Sequence, residues 1–424
     1  MLNQLSKLMK NIWKINIVCI PLLFVMCCSG PLRLNEFDLS DSYQVNGLRY
    51  EMNLSFESLN DTISNLEIQT NTNDLLFAKT ESSKYLASYS ISYKVFEGYN
   101  NEFPIDTNTV HYSLKQNKSS PQILHKIKIY APKGKNYVVK VSLLDKNRNF
   151  LISKLQTHRK KSKNQRSYYR IQTLNNDVIN FTDYQKDSFK VTPQMHHNNV
   201  LKVMKFSYKT TCAAKPQDVT HIYRFAGIPD STWIIKGDSE YDFPALKNGY
   251  YHFITDTIAN DGFSIFSVNT SFPKINSIDQ ANGALGYLLD KSEYSDLLRN
   301  QNKRKSFENE WIRLAGSRER ARNLIKDYYS EVAIANKLFT SNQIGWSTDR
   351  GMIYIIYGPP KIVYRYNNTE IWIYGEENNL LSEQFEFTKI KTDIADNVYE
   401  LKRSVNFKVS YNRMVNAWID ERGY

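Results

Sequence analysis

Seven residues, Gly345-Trp346-Ser347-Thr348-Asp349-Arg350-Gly351, constrain this chain more tightly than any other stretch. They run without a break into the apolar Met352-Ile353-Tyr354-Ile355-Ile356-Tyr357, which stops at Gly358-Pro359-Pro360. A polar turn carrying one indole is thereby forced against a core. Trp346 is expected to pack inward, and Thr348 or Asp349 to bond back to the turn amides. Gly345 and Gly351 are expected to take dihedrals that a side chain would forbid. The run 352–357 is short, rich in β-branched and aromatic residues and bounded by breakers, which predicts a buried strand.

The same turn carries the candidate polar site. Asp349 beside Arg350, with Thr348 and Glu370 in support, could serve a hydrolase-like reaction or hold a ligand. A carboxylate next to a guanidinium stays ionised, however, and donates protons poorly. Turn fixing plus an internal Asp349–Arg350 pair accounts for the same residues. The sequence offers no Ser-His-Asp order, no phosphate-binding glycine loop and no nucleotide fingerprint. His196-His197 has no third ligand at metal spacing, so neither a metal site nor a cofactor is read. Cys212 stands in Thr210-Thr211-Cys212-Ala213-Ala214 without a neighbouring His or acid and reads as a buried, inert thiol.

The N-terminus constrains location. Lys7, Lys10 and Lys14 precede the apolar segment Ile15–Met26, a charged start and apolar centre of signal-peptide length. Cys27-Cys28-Ser29-Gly30 follows directly and resembles a bacterial lipoprotein signal, in which the cysteine is acylated and becomes residue one. Cys28 fits best, with Cys27 as the alternative. Two or more acyl chains would hold the protein to a membrane. Absence of an acidic run after Cys28 favours the periplasmic face over the cell surface. With the signal removed, Cys212 stands alone, so the exported fold is expected to manage without disulfides. The formal net charge of +12 permits contact with anionic headgroups, glycans or nucleic acid and selects none.

The rest divides by pattern. Residues 1–27 form the signal, and 28–46 read as a polar tether. Residues 47–157 read as a β-sandwich, with strands at Leu48–Phe56, Tyr89–Phe96, Ile123–Tyr130 and Tyr137–Leu144. Lysines and arginines crowd 158–170, read as a solvated basic linker without a nucleic-acid motif. Residues 171–276 form a second β-rich region, with strands at Val200–Tyr208, Val219–Phe225, Thr232–Ile235 and Gly249–Thr255; one or two β domains remain open. From 277 to 424 the chain turns α+β. Ser277-Ile278-Asp279-Gln280 opens a helix, a second follows Ser292, and Leu324, Tyr328, Val332, Ala335 and Phe339 mark one face of a third. Arg318, Arg320 and Arg322 at its start are expected to pair with Glu308, Glu310 or Glu319. Strands at Ile362–Tyr366, Glu370–Tyr374, Gln384–Ile390 and Val398–Leu401 and a closing apolar segment, Met414–Ile419, complete it. The predicted fold is multidomain α+β, with N-terminal sandwich-like units before helices that precede an antiparallel sheet.

Taken together, Tyr328-Tyr329, Ala335-Asn336, the Gly345–Gly351 turn, Tyr357-Gly358-Pro359-Pro360 and Glu370-Ile371-Trp372-Ile373-Tyr374 resemble the GWxTD domain. The resemblance covers about 277–423; Tyr411 departs from it, where a tryptophan is expected. It implies a lipoprotein of the Bacteroidetes cell envelope, anchored at the outer membrane, and implies no catalytic residue. The expected function is therefore a non-catalytic binding or scaffold component with an envelope protein as partner. Glycan stacking on Trp346 or Trp372 is the narrower alternative, and both tryptophans lie in runs that read as buried.

Overall fold

The structure, a computed structural model, describes residues 34–44, 52–79, 84–116, 122–174, 184–185, 187–195, 200–208, 211–221, 228–237, 240–254, 262–392, 395 and 397–420. The signal segment with Cys27 and Cys28, the pair His196-His197, residues 48–51 and residues 222–225 lie outside them.

Alternating side chains build the first unit. Its strands are β1 (Met52–Ser58), β2 (Ile63–Asn71), β3 (Ala78–Lys79), β4 (Tyr85–Phe96), β5 (Asp106–Lys115), β6 (Gln122–Tyr130), β7 (Lys135–Asp145) and β8 (Phe150–Lys160). One sheet has the order β1-β2-β6; in the other, β4 pairs with β3, β5 and β7, and β7 with β8. In β6, His125, Ile127 and Ile129 point inward while their neighbours face solvent, the period of two that a half-buried strand requires. Leu66, Ile68, Ile91, Val139 and Val141 from the facing sheets fill the space between them. Each such side chain contributes roughly 1.5–3 kcal/mol on burial.

The second unit repeats the plan with β9 (Tyr169–Thr173), β10 (Tyr184–Gln185), β11 (Phe189–Pro193), β12 (Val200–Phe206), β13 (Ser231–Lys236), β14 (Tyr241–Phe243), β15 (Gly249–Ile254) and β16 (Gly262–Ser267). Sheets β14-β11-β9 and β10-β16-β15-β12-β13 enclose an aromatic core around Phe189, Phe243, Phe253 and Phe263. The β-rich region is thus two sandwiches, each with its own core. Val219 begins no strand; residues 219–220 are turn and Val219 is exposed.

The basic stretch is not a solvated linker. Its first residues belong to β8, where His158 and Lys160 are buried. Lys160 Nζ donates to the Ile63 carbonyl at 3.1 Å and to Ser64 Oγ at 2.9 Å, and burial lowers its pKa to about 8. Arg170, already in β9, pairs with Glu57 of the first sandwich. Ladder carbonyls and a carboxylate replace the water that a charge run normally keeps.

The C-terminal unit contains α1 (Ile278–Leu285), α2 (Lys291–Arg299), α3 (Lys303–Ala315), α4 (Arg318–Phe339), α5 (Asp349–Tyr357), strands β17 (Ile362–Arg365), β18 (Thr369–Tyr374), β19 (Glu383–Lys389), β20 (Tyr399–Leu401), and α6 (Phe407–Ile419). Ser277 caps α1 by accepting from the Gln280 amide, and Asp290 with Glu293 forms a capping box on α2. Gly316, at φ +78°, ends α3, and Ser317 caps α4 at once. Arg320 is held at two helix ends. It donates to the Ala315 carbonyl at 3.2 Å and to the Ile419 carbonyl, at the C-terminal ends of α3 and α6, where helix dipoles favour a cation. The sheet β17-β18-β19-β20 is antiparallel, and the Met414–Ile419 segment is the second half of α6.

Two expectations fail here for clear reasons. Residues 352–357 are not a strand but the body of α5, whose residues are buried without exception. A helix enclosed on all sides shows no 3.6-residue stripe, so its apolar run matches that of a core strand. Nor are residues 34–44 a loose tether. Leu34, Leu39 and Tyr43 are buried in the C-terminal core. The Leu39 amide donates to the Val363 carbonyl at 2.8 Å, and Asp38 accepts from the Val363 amide at 2.8 Å. The segment thus dresses the edge strand β17. Short, polar and irregular as it is, it anchors through three apolar side chains.

Candidate functional site

Asn336, on the last turn of α4, organises the signature turn. Its Oδ1 accepts from the Trp346 amide at 2.9 Å, and its Nδ2 donates to the Pro273 carbonyl at 2.8 Å. Thr340 then accepts from the Gly345 amide at 2.8 Å, and Thr348 donates its hydroxyl to the Gly345 carbonyl at 2.8 Å. The same Thr348 oxygen accepts from the Gly351 amide at 3.0 Å, which makes it the N-cap of α5. Polar turn and apolar run are therefore a helix cap followed by its helix.

The glycines act differently from expectation. Neither Gly345 nor Gly351 has a positive φ. Each instead removes a side chain from a backbone crossing. A Cβ on Gly345 would lie 2.1 Å from the Ala335 carbonyl oxygen, and one on Gly351 would lie 1.9 Å from that of Gly345. The turn can therefore lie flat on α4.

Trp346 is fully buried, with its ring edge-on to Tyr287. Its indole N–H has no partner among the described residues. The Trp346 carbonyl accepts from Tyr287 Oη at 2.8 Å, and that hydroxyl accepts in turn from the Ala213 amide at 2.9 Å. A loop of the second sandwich is fixed to the signature through these two bonds.

Asp349 and Arg350 do not pair with each other. Neighbours on a helix project in different directions, so each finds a separate partner. Asp349 accepts from the Leu401 amide at 2.7 Å and from Arg403 Nη2 at 2.6 Å, and Arg403 donates also to the Ala214 carbonyl at 3.1 Å. Arg350 donates to Glu370 at 3.4 Å, to the Asn397 carbonyl at 3.0 Å and to the Asn397 side chain. Its guanidinium lies over the Tyr399 ring at 4.1 Å.

Glu370 is the centre of this cluster. It stands on β18 two residues before Trp372, so both face the helices. Its carboxylate accepts from Trp372 Nε1 at 2.8 Å, from Tyr43 Oη at 2.8 Å and from Arg365 Nε at 2.5 Å. Burial alone would raise its pKa. The guanidiniums of Arg365 and Arg350, with the bonds from Trp372 and Tyr43, overcome that and lower it to about 2. Tyr43 comes from the N-terminal segment, and its phenol is pushed up by burial. Asn336, Asn397 and Arg403 were given no role by the sequence. The readable signal was Asn336 itself, a carboxamide on an apolar helix face between Ala335 and Phe339.

Beside these pairs opens a small cavity of about 190 Å³, lined by His221, Ser341, Asn342, Asp349 and Arg350 among others. Trp346 does not line it. Burial pushes the thiol of Cys212, also in its wall, up and away from the thiolate that a nucleophile needs.

Residues 249–420 match the GWxTD domain family. The match begins at the first residue of β15, earlier than the 277 boundary read from the sequence, so it takes in the last two strands of the second sandwich. Packing explains the overlap. Phe206, Tyr250 and Phe266 of that sandwich share a cluster with Ala395 and Val398 of the helical GWxTD region. No curated protein matches the chain. Within the GWxTD domain, the signature's charged residues tie α5 to β18, to the β20 end and to the second sandwich.

Proposed function

We propose that this protein is a lipid-anchored envelope protein of the Bacteroidetes, acylated at Cys28 or Cys27 and facing the periplasm from the outer membrane. In this reading it acts as a non-catalytic binding or scaffold component of an envelope assembly. The observation that carries the scaffold role is the placement of Asp349 and Arg350. Each is occupied by partners from distant segments, so the signature joins pieces of the protein. Support for the anchor comes from Lys7, Lys10 and Lys14, the apolar Ile15–Met26 and the two cysteines that follow. Among the described residues no helix is long and apolar enough to cross a membrane.

Metabolic labelling with palmitate tests the anchor. Label lost in Cys28→Ala and kept in Cys27→Ala assigns it to Cys28, and label retained in the double variant refutes lipidation. Crosslinking in whole cells tests the scaffold role, which recovery of no envelope protein above background would overturn. The cavity beside Asp349 favours a second reading, a small polar ligand held by His221, Ser341 and Asn342. A ligand that raises the unfolding temperature of the wild type but not of His221→Ala would establish it.

A further inference from the structure

Acids and apolar residues trade places in the loop that joins β4 to β5. Glu102 and Asp106 are half-buried, whereas Phe103 is 72% exposed and Ile105 is exposed as well. Folded chains usually arrange such residues the other way round. Tyr130, 47% exposed, and the exposed Leu59 extend the same surface. Hydrogen bonds join the four into one patch. Asp106 accepts from the Tyr130 amide at 2.7 Å, Tyr130 stands opposite Ile63 in the β2–β6 ladder, and the Ile63 carbonyl accepts from the Leu59 amide at 3.1 Å. Asp106 also accepts from Tyr93 Oη at 3.1 Å, so its carboxylate serves the sandwich while its apolar neighbour faces out. A contiguous apolar surface of this kind marks a contact.

The loop is held in this form. The Tyr99 amide donates to Asn367 Oδ1, on the β17–β18 turn, at 2.9 Å. Gly98, at φ +107°, permits this approach, since a Cβ there would come within 3.0 Å of the same oxygen. Asn101 Nδ2 donates to the Glu97 carbonyl at 2.9 Å, and the Ile105 amide closes the loop on the Val95 carbonyl at 2.8 Å. The stretches 45–51, 80–83 and 117–121, outside the described residues, join the sandwich at its opposite end, where Met52 pairs with Thr70 and Leu86 with Lys115.

The path of the N-terminal segment decides what covers the patch. Lys140 Nζ lies over the Phe37 ring at 3.6 Å, and Lys140 stands opposite Lys94 in the β4–β7 ladder. Val95, the next residue of β4, holds the Ile105 amide on its other side. Phe37 thus sits two ladder spacings, about 10 Å, from the foot of the exposed loop. Leu34 is one turn earlier, its carbonyl accepting from the Phe37 amide at 3.3 Å, and lies six positions after Cys28. Six residues reach about 20 Å at most. An acyl group on Cys28 therefore brings a bilayer to this end of the first sandwich. Phe103, Ile105 and Leu59 are apolar, and Tyr130 adds a ring with a polar tip, the combination that settles at headgroup level. We propose that the Phe103 loop, with Tyr130 and Leu59, enters the bilayer interface beside the lipid anchor as a second point of membrane contact. The proposal rests on the anchor read above and adds to it the face that the protein turns to the lipid.

Depth-dependent fluorescence quenching tests it. Phe103→Trp places an indole at the loop tip, and Tyr130→Trp is a second reporter on the same patch; both positions are exposed, and an unchanged melting profile verifies the fold. Each is compared with the wild type in vesicles of phosphatidylcholine and of the same lipid brominated on its acyl chains. Two preparations are used: the protein purified from membranes and reconstituted, and the chain from Ser29 held by an N-terminal histidine tag on a nickel-chelating lipid. The expected result is that the brominated lipid removes most of the emission that either substitution adds, in both preparations. Leu380→Trp is the control. Leu380 is fully exposed in the β18–β19 loop, at the end of the GWxTD sheet opposite Asn367, and its substituted indole should keep its emission. Equal quenching at Leu380→Trp would mean that the protein tumbles on the membrane and would overturn the proposal. Unquenched reporters at 103 and 130 would overturn it too, and would leave the patch to a protein partner. The tag supplies the attachment whether or not Cys28 is acylated. An unquenched reporter on the tagged chain therefore counts against the loop alone, and absence of palmitate label counts against the anchor alone.

Discussion

Replacing Glu370 by glutamine tests how far the GWxTD core depends on one buried charge. The carboxylate is fully buried, while Arg350 beside it is 3% exposed and Arg365 is 21% exposed. Glutamine keeps the shape and removes the charge, which leaves two guanidiniums facing a neutral amide. Removing one partner of a buried pair costs about 3–5 kcal/mol. Linkage gives a second route to the magnitude. The pKa of Glu370 is about 2 in the folded protein against an ordinary 4.5. Such a drop corresponds to roughly 3 kcal/mol of folding free energy at neutral pH. Two independent routes agree, and for a unit of this size they imply a melting temperature lower by roughly 10 °C.

The sign with pH follows from the same values. The folded pKa lies below the unfolded one, so the contribution is complete above about pH 4.5 and disappears as pH falls towards about 2. Glutamine has nothing to titrate. The stability gap between wild type and Glu370→Gln should therefore be wide at pH 7 and close between pH 4.5 and 2, while the other carboxylates titrate equally in both proteins. Urea unfolding followed by tryptophan fluorescence reads this domain well, because Trp311, Trp346, Trp372 and Trp418 are four of the six tryptophans in the chain. A gap below about 1 kcal/mol at pH 7, or one that does not narrow in acid, would refute the cluster as a source of stability.

Further expectations follow from individual contacts. Gly351→Ala places a Cβ 1.9 Å from the Gly345 carbonyl oxygen and should abolish cooperative folding of the GWxTD domain. Gly316→Ala has open space around it and only φ +78° against it, so calorimetry should show a loss of about 1 kcal/mol. Trp372→Phe removes an indole N–H bonded to the Glu370 carboxylate, whereas Trp346→Phe removes one without a described partner. Denaturant melts should therefore show Trp372→Phe to be the more damaging by about 1.5–3 kcal/mol, the worth of a bond to a charged group. In the first sandwich, burial with the nearby Lys160 charge lowers the His158 pKa to about 3, against an ordinary 6.5. The unfolded chain then takes up a proton that the folded one refuses, and the sandwich should lose stability as pH falls from about 6.5 towards 3. Hydrogen exchange of the β7–β8 amides should show a shallower acid loss in His158→Gln.

What was legible in the sequence was local. Ser277 three residues before Gln280, the stripe from Tyr328 to Phe339 and the Asn367-Asn368 turn each announce their element because cap, period and turn chemistry lie within a few residues. The inward packing of Trp346 was legible for the same reason. What stayed hidden depends on distance or on uniform burial. Tyr43 and Glu370 are 327 positions apart, and nothing near either one announces the other. Asp349 and Arg350 adjoin in sequence, which favoured an internal pair, yet the helix that begins at Asp349 turns them apart. That helix was itself unreadable, because a run buried on every side has lost its period. Lys160 misled in the opposite sense: its charge predicted solvent, and backbone carbonyls supplied what water would have.

The docked segment 34–44 alters what the proposed anchor implies. A free tether would let the folded part range over the bilayer at any orientation. Here Leu34 is already buried in the GWxTD core. Leu34 lies six positions after Cys28, and an extended chain covers about 3.5 Å per residue. An acyl group on Cys28 would thus hold the β17 edge of the GWxTD domain within about 20 Å of the membrane surface. That edge would face the bilayer. Tyr43 adds a coupling, since it bonds to Glu370 at 2.8 Å and accepts from Arg365 at 2.7 Å. Pulling the segment away from β17 would break the charge cluster that also holds Arg350 and, through it, the signature helix. Were Cys28 acylated as proposed, the turn at 345–351 would bear on the protein's attitude on the membrane as well as on its core.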